Sequence, residues 1–332
     1  MKIWKPHYFD TFSCIASRCP DSCCKEWSVT VDEEAASRYR ALPGDLGDRL
    51  RQVLTEEDGD TVMAIENGRC PMWREDGLCR IQAELGHEGL CQVCRDFPRL
   101  RHDYGDFVEL GLELSCPEAA RLILTSESQP GVEFELPGED VGEYDEEAMQ
   151  VLKKSRQQVL EILADTSYCV PEALTLALLY GYHAQSELDS GEALPFDPQA
   201  ALEEAKGLAK PADFRELLDF FAHLEILTPR WAQMLHNAQP GDWSEDYRKL
   251  ARYFVERYWL QAVSDYDLYC RIKFIIVSCL MIRLVGGETL VTAQQYSKEI
   301  ENDADNVDAI LDAAYYHPAF TDDKLLGMLM GL

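Results

Sequence analysis

Basic residues are scarce in this chain. Lys and Arg number 31 against 60 Asp and Glu, a formal charge of −29 over 332 residues. A field of that sign repels nucleic acid and anionic membranes, so neither is expected as a partner. Long uncharged apolar runs are also missing. The nearest approach, "LYCRIKFIIVSCLMIRLVGG", is broken by Arg271, Lys273 and Arg283, which points to a buried core helix rather than a membrane span. The opening "MKIWKPHYFDTFSC" holds no apolar stretch of signal-peptide type, and a cytoplasmic location is expected. There is no internal repeat and no low-complexity tract. Nor is there a Rossmann-type G-x-G-x-G turn, for which "YGYH" and "VGGE" are poor substitutes. Nothing in the sequence signals an oligomeric state.

What the chain does have is sulfur, unevenly spread. Of its 12 cysteines, Cys14, Cys19, Cys23, Cys24, Cys70, Cys79, Cys91, Cys94 and Cys116 all fall in the N-terminal third. In a reducing compartment such crowding favours metal binding over a disulfide framework. The thiolate is the ligand form, and a metal neutralises its charge. Four thiolates hold one tetrahedral zinc or one cubane iron–sulfur cluster. The pattern C-x4-C-x3-C-C, then C-P-x7-C, C-x2-C and S-C-P-E is not the C-x3-C-x2-C of radical enzymes. It is not a pair of zinc knuckles either. Irregular spacing with surplus thiols favours an iron–sulfur centre, with zinc as the alternative. Adjacent Cys23 and Cys24 can face one metal only from a turn or helix end, because neighbours in a strand point oppositely; Pro20, Asp21 and Ser22 supply turn chemistry. Arg69, Arg74, Arg80, Arg95, Arg99 and Arg101 lie among the second group of cysteines. They pair with carboxylates such as Asp76 and Asp96, offset the charge of a thiolate-bound centre, or hold a carboxylate.

The expected fold is mainly α: a small Cys-rich α+β metal domain over residues 1–125, an acidic Gly- and Pro-rich linker over 126–145, and an all-α helical domain over 146–332. In the first part, "WSVTVD" and "DFVELGLELSC" alternate as strands do, the latter with Val108, Leu110, Leu112 and Leu114 on one face. Asp32 is placed to cap a helix through "EEAASRYRAL", and Gly86 closes a short one in "LCRIQAELG". In the last part Leu152, Val159 and Leu163 mark one helix face, and Pro171 opens the next helix. Phe214, Leu217, Phe221 and Leu224 recur at helical spacing, as do Tyr247, Leu250, Phe254 and Tyr258 after a capping Ser244. Thr292 and Gln295 read as a capping box. The aromatic stripes and the scattered His183, His223 and His236 read as packing or surface residues.

"FSCIASRCPDSCCKEWSVTVD", "CPMWREDGLCRIQAELG", "LCQVCRDFPR" and "ELSCPEAARLIL" together resemble, in order over about residues 6–124, the motifs of the flagellin lysine-N-methylase family. Ala16 stands where the pattern leads one to expect Gly. The resemblance implies transfer of a methyl group from S-adenosylmethionine to lysine amines of flagellin by a protein carrying an iron–sulfur cluster, 4Fe-4S in type. Metal positions carry over to Cys14, Cys19, Cys23, Cys24, Cys70, Cys79, Cys94 and Cys116, whereas Cys91 stands where the pattern tolerates other residues. No catalytic residue and no S-adenosylmethionine site can be assigned on these motifs. A site for this reaction calls for aromatic faces toward the sulfonium and a proton acceptor for the amine; Tyr8, Asp21, Trp27 and Trp73 lie near enough in sequence to be candidates. The alternative reading is a non-catalytic zinc- or iron-binding interaction or carrier protein.

Overall fold

A computed structural model describes residues 1–25, 27–57, 59–127, 131–136, 142, 144–211 and 213–331. Seven strands and fifteen α-helices are present among them, and the chain is mainly helical. The strands are β1 Lys2–Lys5, β2 Val29–Thr30, β3 Leu54–Glu57, β4 Asp60–Met63, β5 Arg99–Asp103, β6 Phe107–Leu112 and β7 Val132–Glu135. Between them run α1 Glu33–Ala41, α2 Gly44–Val53, α3 Arg80–Leu85, α4 Gln92–Asp96 and α5 Pro117–Thr125. The helices that follow are α6 Glu146–Ala164, α7 Val170–Ser190, α8 Pro198–Leu208, α9 Phe214–Ala222 and α10 Pro229–His236. The last five are α11 Asp246–Tyr258, α12 Leu268–Val285, α13 Thr289–Ile300, α14 Ala304–Tyr316 and α15 Asp322–Met330.

One sheet has the order β5-β6-β1-β7. β1 runs parallel to β6, with Ile3 opposite Val108, and antiparallel to β7, with Ile3 opposite Phe134. The other sheet, β2-β4-β3, is antiparallel. Of the stretch 126–145, read as a linker, residues 128–130, 137–141 and 143 lie outside the described residues; Val132–Glu135 forms the edge strand β7.

Two apolar clusters result. The smaller packs Val29, Val31, Tyr39, Leu50, Met63, Met72 and Ile81 beneath the thiol-bearing loops. The larger joins Phe12, Phe107, Leu112 and Leu114 of the N-terminal part to α5, α6, α7, α11, α12 and α13, so its packing runs across residue 125. Leu110, expected beside Val108 and Leu112, is only half-buried.

α12 is buried on all sides, as its near-continuous apolar sequence requires. Its Lys273 is satisfied by the carbonyls of Ala314 and Phe320 at 3.2 and 2.9 Å. Among the described residues no helix is long and apolar enough to cross a membrane. α12 stops at Gly286, where φ is +76° and a Cβ would stand 2.0 Å from the Gln239 carbonyl oxygen. That stop lets α13 start at Thr289, four residues earlier than a capping box with Thr292 as the cap would place it. Thr292 instead donates its hydroxyl to the Gly286 carbonyl (2.6 Å), and Gln295 is buried against Thr228. At α11 the cap is Glu245, one residue beyond Ser244.

Candidate metal centre

Local contacts bring the first two cysteine motifs side by side. The Cys70 amide donates to the Cys24 carbonyl at 2.8 Å, and Lys25 bridges Arg69 as in an antiparallel pair. A second bridge, Trp73 to Cys79, closes the loop between them through Gly77 at φ +80°. Cys23 and Cys24 sit in a turn, as their adjacency demands. The Asp21 carboxylate accepts from the Ser22 amide at 2.8 Å, and the Ser22 hydroxyl oxygen accepts from the Cys24 amide at 3.1 Å.

The thiols of Cys23, Cys70 and Cys79 all lie within hydrogen-bonding reach of the Cys24 sulfur. Their donated bonds drive Cys24 far toward the thiolate, while Cys23, Cys70 and Cys79 are held as thiols, first by those same bonds. A second pair borders the quartet: Cys94 bonds Cys91 and lowers it to about 7 against the opposing effect of burial. Burial raises Cys19 and pushes Cys116 up to about 11.

Around these groups lies a cavity of about 610 Å³, lined by Cys14, Cys19, Cys23, Cys24, Cys79, Cys94 and Cys116. Seven of the eight carried-over cysteines therefore face one space, and Cys70 stands behind it, joined through Cys24. Cys91 does not line it, being only 2% exposed. Cys169, Cys270 and Cys279 belong to the helices and lie elsewhere.

This donor set fits a thiolate-held metal or cluster. The neighbouring thiols favour the thiolate form of Cys24, the form in which sulfur ligates a metal, and a cation would displace the remaining thiol protons. Among the described residues, no three His, Cys, Asp or Glu side chains are already arranged to ligate an ion, so loading requires the thiols to exchange sulfur-to-sulfur bonds for metal bonds. The surrounding charge leans positive, which suits an anionic centre: Lys25, Arg95, Arg99 and Lys298 line the cavity against the carboxylates of Asp21 and Asp96. Of the arginines, Arg74, Arg80 and Arg101 pair with Asp76, Asp45 and Asp103, each at 2.6 Å, and Arg95 reaches Asp96 at 3.7 Å. Arg69 lies over Trp73 and Arg99 over Phe12.

Asp21, Trp27 and Trp73 line the cavity as anticipated. Tyr8 does not. It is buried among Tyr253 and Glu256, beyond reach of the thiols, because its segment packs into the larger core.

The residue that sequence reasoning missed is Lys298. Its side chain is 1% exposed and its ammonium lies 3.1 Å from the Asp21 carboxylate and 5.0 Å from the Trp27 ring centre. Burial is the largest single influence and would raise Asp21, but the Lys298 charge and hydrogen bond, the Ser22 amide and the Lys25 charge together hold the carboxyl below its usual value. Gln294, one helical turn earlier, donates to the Ser115 carbonyl at 2.7 Å and to Asp21 at 3.3 Å. The only sequence hint is the run "AQQYSKEI", polar enough to read as a solvated helix face.

No family model and no solved structure matches the chain. Over 129 residues, 37% of its length, the chain is 34% identical to the flagellar biosynthetic protein FliU of Salmonella muenchen and covers 76% of that protein. The same share is 34% identical to the lysine-N-methylases of Salmonella typhimurium and Salmonella choleraesuis. The chain belongs to the flagellin lysine-N-methylase family. It spans about a third of the two lysine-N-methylases, the match covering 32% of each.

Proposed function

We propose that the chain is a cytoplasmic protein-lysine N-methyltransferase that uses S-adenosylmethionine, acts on flagellin and carries a cysteine-held iron–sulfur cluster. The observation that carries the reading is the 34% identity to proteins named lysine-N-methylase in a chain whose thiols converge on one cavity. Cys24, with Cys23, Cys70 and Cys79, would hold the cluster, and Cys14, Cys19, Cys94 and Cys116 complete the set available to it. Held by all four thiols the cluster would be structural; held by three of them it would offer an open iron to amino and carboxylate groups. S-adenosylmethionine supplies the electrophilic methyl.

The chain's own residues address the harder requirement, a neutral lysine amine at neutral pH. Phe12, Trp27, Trp73, Leu78, Leu90 and Phe97 give the cavity apolar walls that limit water. Lys25 and Arg99 add positive charge, which disfavours a protonated amine beside them, whereas Lys298 and Arg95 are paired with Asp21 and Asp96. Asp21 would oppose this, but it is committed to Lys298.

The test is anaerobic purification followed by iron and sulfide analysis, a visible spectrum, and S-adenosylmethionine titration. Broad absorption near ~400 nm from thiolate- and sulfide-to-iron charge transfer, cofactor binding, and methylated flagellin lysines by mass spectrometry are expected. A colourless protein that ignores the cofactor overturns the reading.

A second reading, a non-catalytic zinc-binding protein, is favoured by one feature. Sulfurs on a tetrahedral zinc with bonds of about 2.3 Å stand about 3.8 Å apart, which is hydrogen-bonding reach for thiols. Cys23, Cys70 and Cys79 each act on the Cys24 sulfur as hydrogen-bond donors, so the thiols grouped about Cys24 equal in number the ligands of one such zinc. Zinc without iron in protein grown on both metals supports this second reading.

A further inference from the structure

We infer that Lys298 is a positioning residue for the Cys23–Cys24 turn, so that a helix near the C-terminal end sets the geometry of the thiol cavity. The inference rests on the reading of that cavity as a cluster site.

The contacts form an unbroken chain. The Lys298 ammonium meets one Asp21 oxygen at 3.1 Å, and the other Asp21 oxygen accepts from the Ser22 amide at 2.8 Å. The Ser22 hydroxyl oxygen then accepts from the Cys24 amide at 3.1 Å. Cys24 is the sulfur on which Cys23, Cys70 and Cys79 converge.

Burying an ammonium carries a large desolvation cost, so its partners must be held in good geometry for it to persist. Two further contacts show that they are. The Trp27 ring lies beneath the ammonium, and Gln294 ties the same Asp21 oxygen to the Ser115 carbonyl, next to Cys116. α13 thus grips the first and last cysteine motifs together. Lys25 also approaches Asp21, at 3.6 Å, but from the opposite oxygen and with 30% of its side chain exposed. Such a contact is weak and mobile, and does not replace the buried one.

Hydrogen exchange in the full-length, metal-free protein tests this without depending on cluster chemistry. In Lys298→Met, exchange at the Ser22 and Cys24 amides is expected to quicken about tenfold, the response of a locally opened turn, while α6 and α7 exchange as in the wild type. Lys298→Arg restores the slow rate. Unchanged exchange at the turn in K298M overturns the inference. Should K298M unfold, Lys298→Gln, which is polar but too short and uncharged to hold Asp21 as the ammonium does, is compared in the same way: faster exchange confined to the turn supports the inference, and unchanged or uniformly faster exchange overturns it.

Anaerobic loading with iron and sulfide forms the second arm, with K298M expected to take up about tenfold less than wild type at limiting iron and K298R to recover. A wild type that takes up none refutes the cluster reading, whereas the exchange result still decides the role of Lys298.

Discussion

Arg156 and Glu109 meet through two parallel hydrogen bonds of 2.8 and 2.6 Å, with 13% and 5% of their side chains exposed. The pair fastens α6 to β6, the strand leading into the Cys116 segment. Removing one partner strands the other charge in the interior, which typically costs about 3–5 kcal/mol, whereas replacing both with apolar groups costs little. Glu109→Ala should therefore lower the urea midpoint sharply, and the double variant E109L/R156L should recover most of the loss. Equal stability of E109A and wild type would show that water enters to solvate the guanidinium.

Asp32 serves two helices with one carboxylate. One oxygen accepts from the Ala35 amide of α1 at 2.9 Å, the other from the Gln92 amide that opens α4 at 2.7 Å. Asp32→Ala should cost about 1–2 kcal/mol, the range for a lost cap, and Asp32→Asn should retain part of it. The bonds from Gln92 and Ala35 hold the carboxyl below its usual value. Its stabilising share is thus complete above the ordinary carboxylate range and lost as pH falls through the depressed folded value. Urea titrations of wild type and D32A should accordingly converge in acid.

His102 gives stability a dependence on mild acid. Burial first, then the Arg257 charge, lowers it from 6.5, with Glu109 opposing, and its Nε2 is buried without a hydrogen-bond partner. The unfolded chain takes up the proton before the folded one does. This contribution to stability is flat above the unfolded value, falls as pH drops through about 6.5, and is fully lost below the folded value. His102→Phe should flatten the slope of Tm between about pH 7.5 and 5.5. An unchanged slope would assign it to another group.

Much of this architecture is legible in local sequence. The Asp32 cap, the Gly86 stop and the α6 face of Leu152, Val159 and Leu163 all act within a turn or two of chain. The Cys23–Cys24 turn follows from the period of side-chain direction alone. What stays hidden is burial paid back over long distances in sequence. In α13, Gln294, Gln295, Ser297, Lys298 and Glu299 are all buried, although such a run normally faces water. Glu299 accepts from the amides of Leu227 and Thr228, and Lys298 reaches Asp21 across 277 positions. Tyr8 shows the converse: its nearness to Cys14 in sequence says nothing of the core into which its ring turns.

The cysteines divide by position into those whose loss should matter to loading and those whose loss should not. Cys24 is the hub, within reach of three other thiols; Cys24→Ala removes the common neighbour, and iron and sulfide uptake with the ~400 nm band should fall to background. Cys91 is buried, does not line the cavity and is bonded to Cys94, so Cys91→Ala should load as the wild type does. Cys169→Ala, at the cap of α7, controls for thiol number alone and should also load fully. Circular dichroism of all three separates lost loading from lost fold. Wild-type uptake by a folded C24A would show that Cys24 is not the hub and place the ligands among the other thiols facing the same space, Cys14, Cys19, Cys23, Cys79, Cys94 and Cys116.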